Sequence, residues 1–125
     1  MNVRRWSPPL IWAGVIFLLT SMPNPPIPRE LASKDKIAHF MLYGGFGFFL
    51  ARAVRQESSF WASILITAII ATAAAGVDEW HQRFIPGRTM DLDDWRADSL
   101  GAVAGATLAL AVFRAGRRPN PINEH

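Results

Sequence analysis

The 125-residue sequence predicts an all-α protein, a four-helix transmembrane bundle with short loops and both termini on the cytoplasmic side. Three observations lead there. Half of the residues are apolar and only 18% are charged, which is low for a soluble domain of this size. The apolar residues gather in four runs, 6–22, 37–54, 60–77 and 97–113, of 17, 18, 18 and 17 residues. As a helix, each run is about 26 Å long, close to the ~30 Å hydrocarbon core of a bilayer. The Lys and Arg residues lie at the ends of these runs, where such residues mark membrane orientation. Four such helices leave almost nothing for a soluble core, so residues 1–125 read as a single membrane domain.

The first helix follows Arg4, Arg5 and Trp6, with Pro8 and Pro9 in a first turn that tolerates their missing N–H groups. Its basic start and apolar middle resemble a signal peptide. Thr20, Ser21 and Met22 run into prolines with no small-residue cleavage pattern, so the helix is expected to be retained. Pro23, Pro25, Pro26 and Pro28 then force an extended linker. The second helix is expected to begin near Ser33 as N-cap, with Asp35 in the first turn, and to end with Arg52 and Arg55 reaching the interface. The third run carries the β-branched Ile64, Ile66, Thr67, Ile69 and Ile70. Helix is still expected there, because lipid cannot satisfy the backbone groups of a lone strand. This helix should continue past the core through Asp78, Glu79 and Gln82. Pro86-Gly87 suits a type II turn, and Asp91 suits the N-cap of the fourth helix with Asp94 in its first turn. Gly101 and Gly105 form a G-x-x-x-G packing face.

Composition excludes several classes. Without cysteine there is neither a disulfide framework nor a thiolate metal site. The net charge is +3, but the basic residues form no stripe, so nucleic acid is not an expected partner. With both termini inside, Arg4, Arg5, Arg52, Arg55, Arg114, Arg117 and Arg118 face the cytoplasm. Arg29, Lys34, Lys36, Arg83, Arg88 and Arg96 then face outward. Seven against six is a small bias, and Arg4 and Arg5 beside the dominant first helix break the near-tie. Trp6 and Trp61 then mark one interface, and Trp80 and Trp95 the other.

The chemistry concentrates at the outer end. From Asp78 to Gly105 the chain holds six carboxylates and three arginines. Ionisable residues at membrane depth are expensive and mark functional sites by default. Lys36, His39 and Tyr43 are spaced i, i+3, i+7 and share one face of the second helix. Asp78 and Gln82 share a face of the third helix, with Glu79 and Arg83 on an adjacent one. Asp98 and Asp94 stand one and two turns above the glycine face of the fourth, and Arg88 sits in the loop between. This spacing predicts a polar pocket capped by a loop.

These residues resemble the VanZ-like membrane proteins. The pattern is K-x-x-H-x-x-x-Y (Lys36, His39, Tyr43), followed by D-E-x-x-Q-x-F-x-x-x-R-x-x-D-x-x-D from Asp78 to Asp94. An acid or amide ahead of G-x-x-x-G completes it, here Asp98 before Gly101 and Gly105. The family usually carries Asn near the position of Asp98, so the carboxylate adds charge here. The resemblance implies a multi-pass protein of the bacterial plasma membrane, and the family's founding member confers low-level teicoplanin resistance.

Duller roles compete with a functional one. Asp91 and Asp94 can simply cap the fourth helix, worth about 0.5–2 kcal/mol. Asp78, Glu79, Arg83, Arg88 and Arg96 can form a structural ion-pair network, and His39 can bond between helices. Three functional readings follow. In the first, Arg88 and Lys36, with Arg83 as a further candidate, bind an anionic lipid or cell-wall precursor, with Asp78, Glu79 and Gln82 holding the arginine. In the second, the carboxylates with His39 perform acid–base or metal-assisted chemistry on a lipid head group. No H-E-x-x-H or G-x-S-x-G motif occurs, so no catalytic residue, resident metal or cofactor is assigned. In the third, the chain is a non-enzymatic subunit or a small oligomeric pore, self-associating through its small-residue faces.

Overall fold

Apolar periodicity and the punctuation by Pro, Gly and Asp resolve into four helices: α1 (Val3–Thr20), α2 (Ala32–Val54), α3 (Phe60–Gln82) and α4 (Leu92–Ala115). The computed structural model describes residues 2–23 and 32–115. The expected proline linker through Pro25, Pro26 and Pro28, with Arg29, and the basic tail with Arg117 and Arg118 lie outside the described residues.

Local chemistry sets most of the boundaries. The Asn2 side chain caps α1 by accepting from the Arg4 N–H, and Ser59 caps α3 by accepting from Ala62. α2 has already begun by Ala32, one residue ahead of the expected start near Ser33. Gly87 has φ 78° and follows Pro86, and the Arg88 N–H bonds the Ile85 carbonyl at 3.1 Å. That is the type II turn the dipeptide predicts, with glycine where φ must be positive. Asp91 sits just before α4 and accepts the Asp93 N–H on its side chain at 2.8 Å, as an N-cap does.

α2 and α4 form the tightest pair. A Cβ on Gly101 would collide with the backbone of Phe40, and one on Gly105 with that of Gly44. The two helices therefore approach to backbone contact, which only small residues permit. Ala102, Ala106 and Ala109 complete the seam. α3 packs on both helices. α1 runs the length of the bundle: Arg5 reaches the Ala53 carbonyl at one end, and Thr20 reaches Asp78 at the other.

The distribution of polarity is inverted relative to a soluble protein. Leu10, Ile11, Leu65, Ile69, Leu108 and Val112 point outward, while Ser63, Thr67, Asp78, Glu79 and Asp98 are buried. Three helices, over Lys34–Val54, Phe60–Gln82 and Leu92–Arg114, are long and apolar enough to cross a membrane. α1 falls outside that group. Its first turns hold Arg4, Arg5, Pro8 and Pro9, so its apolar stretch from Leu10 to Leu19 covers only about 15 Å.

Candidate functional site

At one end of the bundle, the polar face of α2 meets acids from α3 and α4. The pairing forms a ladder. Lys36 donates to Asp91 at 2.6 Å and also to Asp94. One turn on, His39 Nδ1 lies 2.8 Å from Asp98 Oδ1. Below that, the Tyr43 hydroxyl donates to Asp78 at 3.4 Å. The i, i+3, i+7 spacing of the three α2 residues therefore does what periodicity predicts, and each finds a carboxylate on a facing helix. Asp94 and Asp98 continue the face of Gly101 and Gly105, so the same glycines that bring α2 close to α4 also bring Lys36 and His39 to their acids.

Glu79 joins the ladder from α3. Its Oε2 accepts the Asp91 N–H at 3.0 Å, which pins the start of α4 to the end of α3. Gln82 donates to the other oxygen over 3.5 Å. His39 Nε2 faces Asp94 at 3.6 Å and Asp35 at 3.9 Å. Asp98 is 0% exposed, Glu79 and Gln82 2%, and His39 5%. Burial of this many carboxylates is costly unless each finds a partner. Asp91, at the solvent edge, is held below its ordinary carboxylate value by the Lys36 hydrogen bond.

Arg88 reaches the end of α1. Its Nε donates to the Met22 carbonyl at 2.8 Å and its guanidinium also reaches that of Leu19 at 3.3 Å. These two bonds go to α1, whereas the expectation has Asp78, Glu79 and Gln82 hold Arg88. The C-terminus of α1 presents free carbonyls and a negative dipole end, which attract a guanidinium. The expected ion-pair network does not form among the described residues either. Arg96 pairs with exposed Asp93 at 3.0 Å, and the Arg83 guanidinium lies 5.9 Å from the ring of Phe84.

Two participants carried no signal in the sequence. Thr20 donates to Asp78 at 2.7 Å and brings α1 into the cluster. His81 stacks on Phe17 with ring centroids 5.0 Å apart. It also lines a cavity of about 240 Å³ between α1, α2 and α3. Ala13, Ile16, Phe17, Phe46, Ala74 and Val77 make the walls apolar, and Tyr43 and Asp78 give the polar contacts. The cavity therefore shares two residues with the ladder.

An outwardly apolar helical bundle with three helices able to cross a bilayer is that of an integral membrane protein, and its buried acids gather at one end. The VanZ/LLP1 family profile matches residues 8–114, and the chain belongs to this VanZ-like family. No curated protein and no solved structure gives a match.

Proposed function

We propose that this VanZ-like protein recognises the polar head of a membrane-anchored envelope molecule at the rim where α2, α3 and α4 converge. The observation that carries the reading is the apolar cavity that shares Asp78 and Tyr43 with the buried ladder. A hydrocarbon chain fits the apolar walls, and a head group then meets the polar residues. Lys36 and Arg88, each already bonded to protein oxygens, lend the rim positive charge toward a phosphate or carboxylate, and Asp78, Glu79 and Gln82 accept hydroxyl or amide donors. In this reading α1 completes four spans, both termini lie in the cytoplasm, and the site faces outward in a bacterial plasma membrane. Arg4 and Arg5 beside the first helix support that orientation.

A lipid-linked cell-wall precursor is the ligand class that joins this site to teicoplanin tolerance, the role the family resemblance suggests. The test is drug susceptibility in a bacterial host. Cells making the wild type tolerate more teicoplanin than empty-vector cells. Lys36→Met, present in the membrane at equal amount, returns them to the empty-vector level. Unchanged tolerance in that variant contradicts the reading.

A second reading is favoured by the buried His39–Asp98 pair, whose geometry matches a base held by an orienting carboxylate. It makes the protein an acid–base enzyme acting on a lipid head group. Turnover of isoprenyl-phosphate or phospholipid substrates that His39→Gln abolishes supports it, and inertness of the wild type toward both classes counts against it.

A further inference from the structure

His39, Glu79 and Asp98 come from three different helices and are all at least nine-tenths buried. One ligand atom from each lies within 4.8 Å of the others. Asp98 uses one oxygen on His39, while its Oδ2 is fully buried with no hydrogen-bond partner. A carboxylate oxygen stranded in this way costs free energy that nothing around it recovers. Glu79 is little better served on Oε1, where Gln82 stands at 3.5 Å. Lys36, the ammonium of the cluster, is committed to Asp91 and Asp94. The group therefore presents two carboxylates and an imidazole, with no Lys or Arg paired to either acid among the described residues.

We propose that His39, Glu79 and Asp98 bind one divalent cation. A cation with ligand bonds of about 2.0–2.2 Å holds neighbouring donors about 3–3.5 Å apart, so side-chain closure of about 1 Å gathers this group around one ion. Two hard oxygens with one imidazole nitrogen suit Mn²⁺ or Zn²⁺ better than Ca²⁺ or Mg²⁺, which favour oxygen throughout. The cation neutralises the two acids and gives Asp98 Oδ2 a partner. A second grouping, Asp35, His39 and Asp94, offers ligand atoms at similar spacing. It is the weaker host, because Lys36 already occupies Asp94 and Asp35 is partly exposed. Once bound, the cation makes an acidic site able to hold a phosphate oxygen. That consequence alone rests on the head-group reading above.

The test is a Mn²⁺ titration of the full chain, purified in detergent, stripped with chelator and followed by electron paramagnetic resonance without added lipid. The expected result is one saturable Mn²⁺ per chain, with ¹⁴N coupling from an imidazole. Asp98→Asn and Glu79→Gln should each weaken it by about 100-fold or more, beyond the 10–100-fold typical of outer-sphere partners. Asp93→Asn, whose parent side chain is exposed on Arg96, should bind as wild type. The proposal is overturned by the absence of saturable binding, by binding without ¹⁴N coupling, or by binding that survives both carboxamide variants. If either variant fails to fold, the ¹⁴N coupling of the wild type decides. Failure here leaves the drug-tolerance result untouched, and loss of tolerance in Lys36→Met leaves this titration untouched.

Discussion

The two ends of the bundle handle charge in opposite ways. At the end where α1 begins, Arg5 pairs with Glu57, whose side chain is 76% exposed, and the Arg52 and Arg114 guanidinium groups lie 5.1 and 5.7 Å from the rings of Phe113 and Phe60. The exposed Arg52 and Arg114 lie on aromatic rings as interface residues do, and the Arg5 side chain, only 8% exposed, reaches outward to one loop acid. At the other end, Asp78, Glu79, Asp94 and Asp98 are buried against one lysine, one histidine and a few hydroxyl and amide donors. Exposed pairs contribute little and are easily replaced. Buried acids in excess of their cations are expensive, and a fold keeps them where the chemistry of a site requires them. The contrast separates decoration from site more sharply than any motif.

The largest expected effect breaks the seam that makes the second end possible. Gly105→Leu drives its side chain into the Gly44 backbone, and the cost should exceed the ~1–3 kcal/mol of ordinary overpacking. No folded monomer should elute on size exclusion in detergent. Gly14→Ala, where nothing stands within 4 Å of the added carbon, should behave as wild type.

Lys36→Met comes next. It removes the ammonium from buried Asp94, an unpairing that costs roughly 3–5 kcal/mol in a fully buried pair. The lysine side chain is 31% exposed, so the low end of that range is expected in thermal unfolding. Adding Asp94→Leu should recover part of the loss. A double variant no more stable than Lys36→Met would show that the pair does not act as a unit.

Thr20→Val deletes a single buried hydrogen bond to Asp78 and should cost about 1–3 kcal/mol, because the acid loses a donor. Glu57→Gln, at an exposed side chain whose amide oxygen can still accept from Arg5, should change the unfolding temperature least of these variants.

The smallest effect is pH dependence at Asp91. Its folded-state value lies below the ordinary 3.8, so the Lys36–Asp91 contact stabilises the fold above that value. The contribution is lost as pH falls through the lower folded value. Between pH 7 and about 5, the stability difference between wild type and Asp91→Asn should therefore stay constant. It should shrink only at more acidic pH, and a difference already fading near pH 6 would contradict the assignment.

Much of this arrangement is legible in single helices. The α2 face of Lys36, His39 and Tyr43, the glycine face of α4 and the Pro86-Gly87 turn each follow from spacing within one element, and each appears as read. Contacts that depend on how helices rotate and slide against one another are not legible. Thr20 sits in an apolar run like any threonine, and nothing local says that it faces Asp78. The charge pattern points Arg88 toward the acids, but the carbonyl end of α1 lies within its reach. Trp95, expected at an interface, instead donates its indole N–H to the Thr72 carbonyl at 3.1 Å, within the span of α3. A tryptophan near a helix start serves either purpose, and only packing decides which.

The central claim is that the acid-rich end is a ligand site and the opposite end is not. Native mass spectrometry of the full chain, ejected directly from membranes, tests it most directly. The account predicts a wild-type chain carrying a lipid adduct that Asp78→Asn loses and Glu57→Gln keeps. Identical adducts in all three proteins, or a wild type that emerges bare, would contradict it.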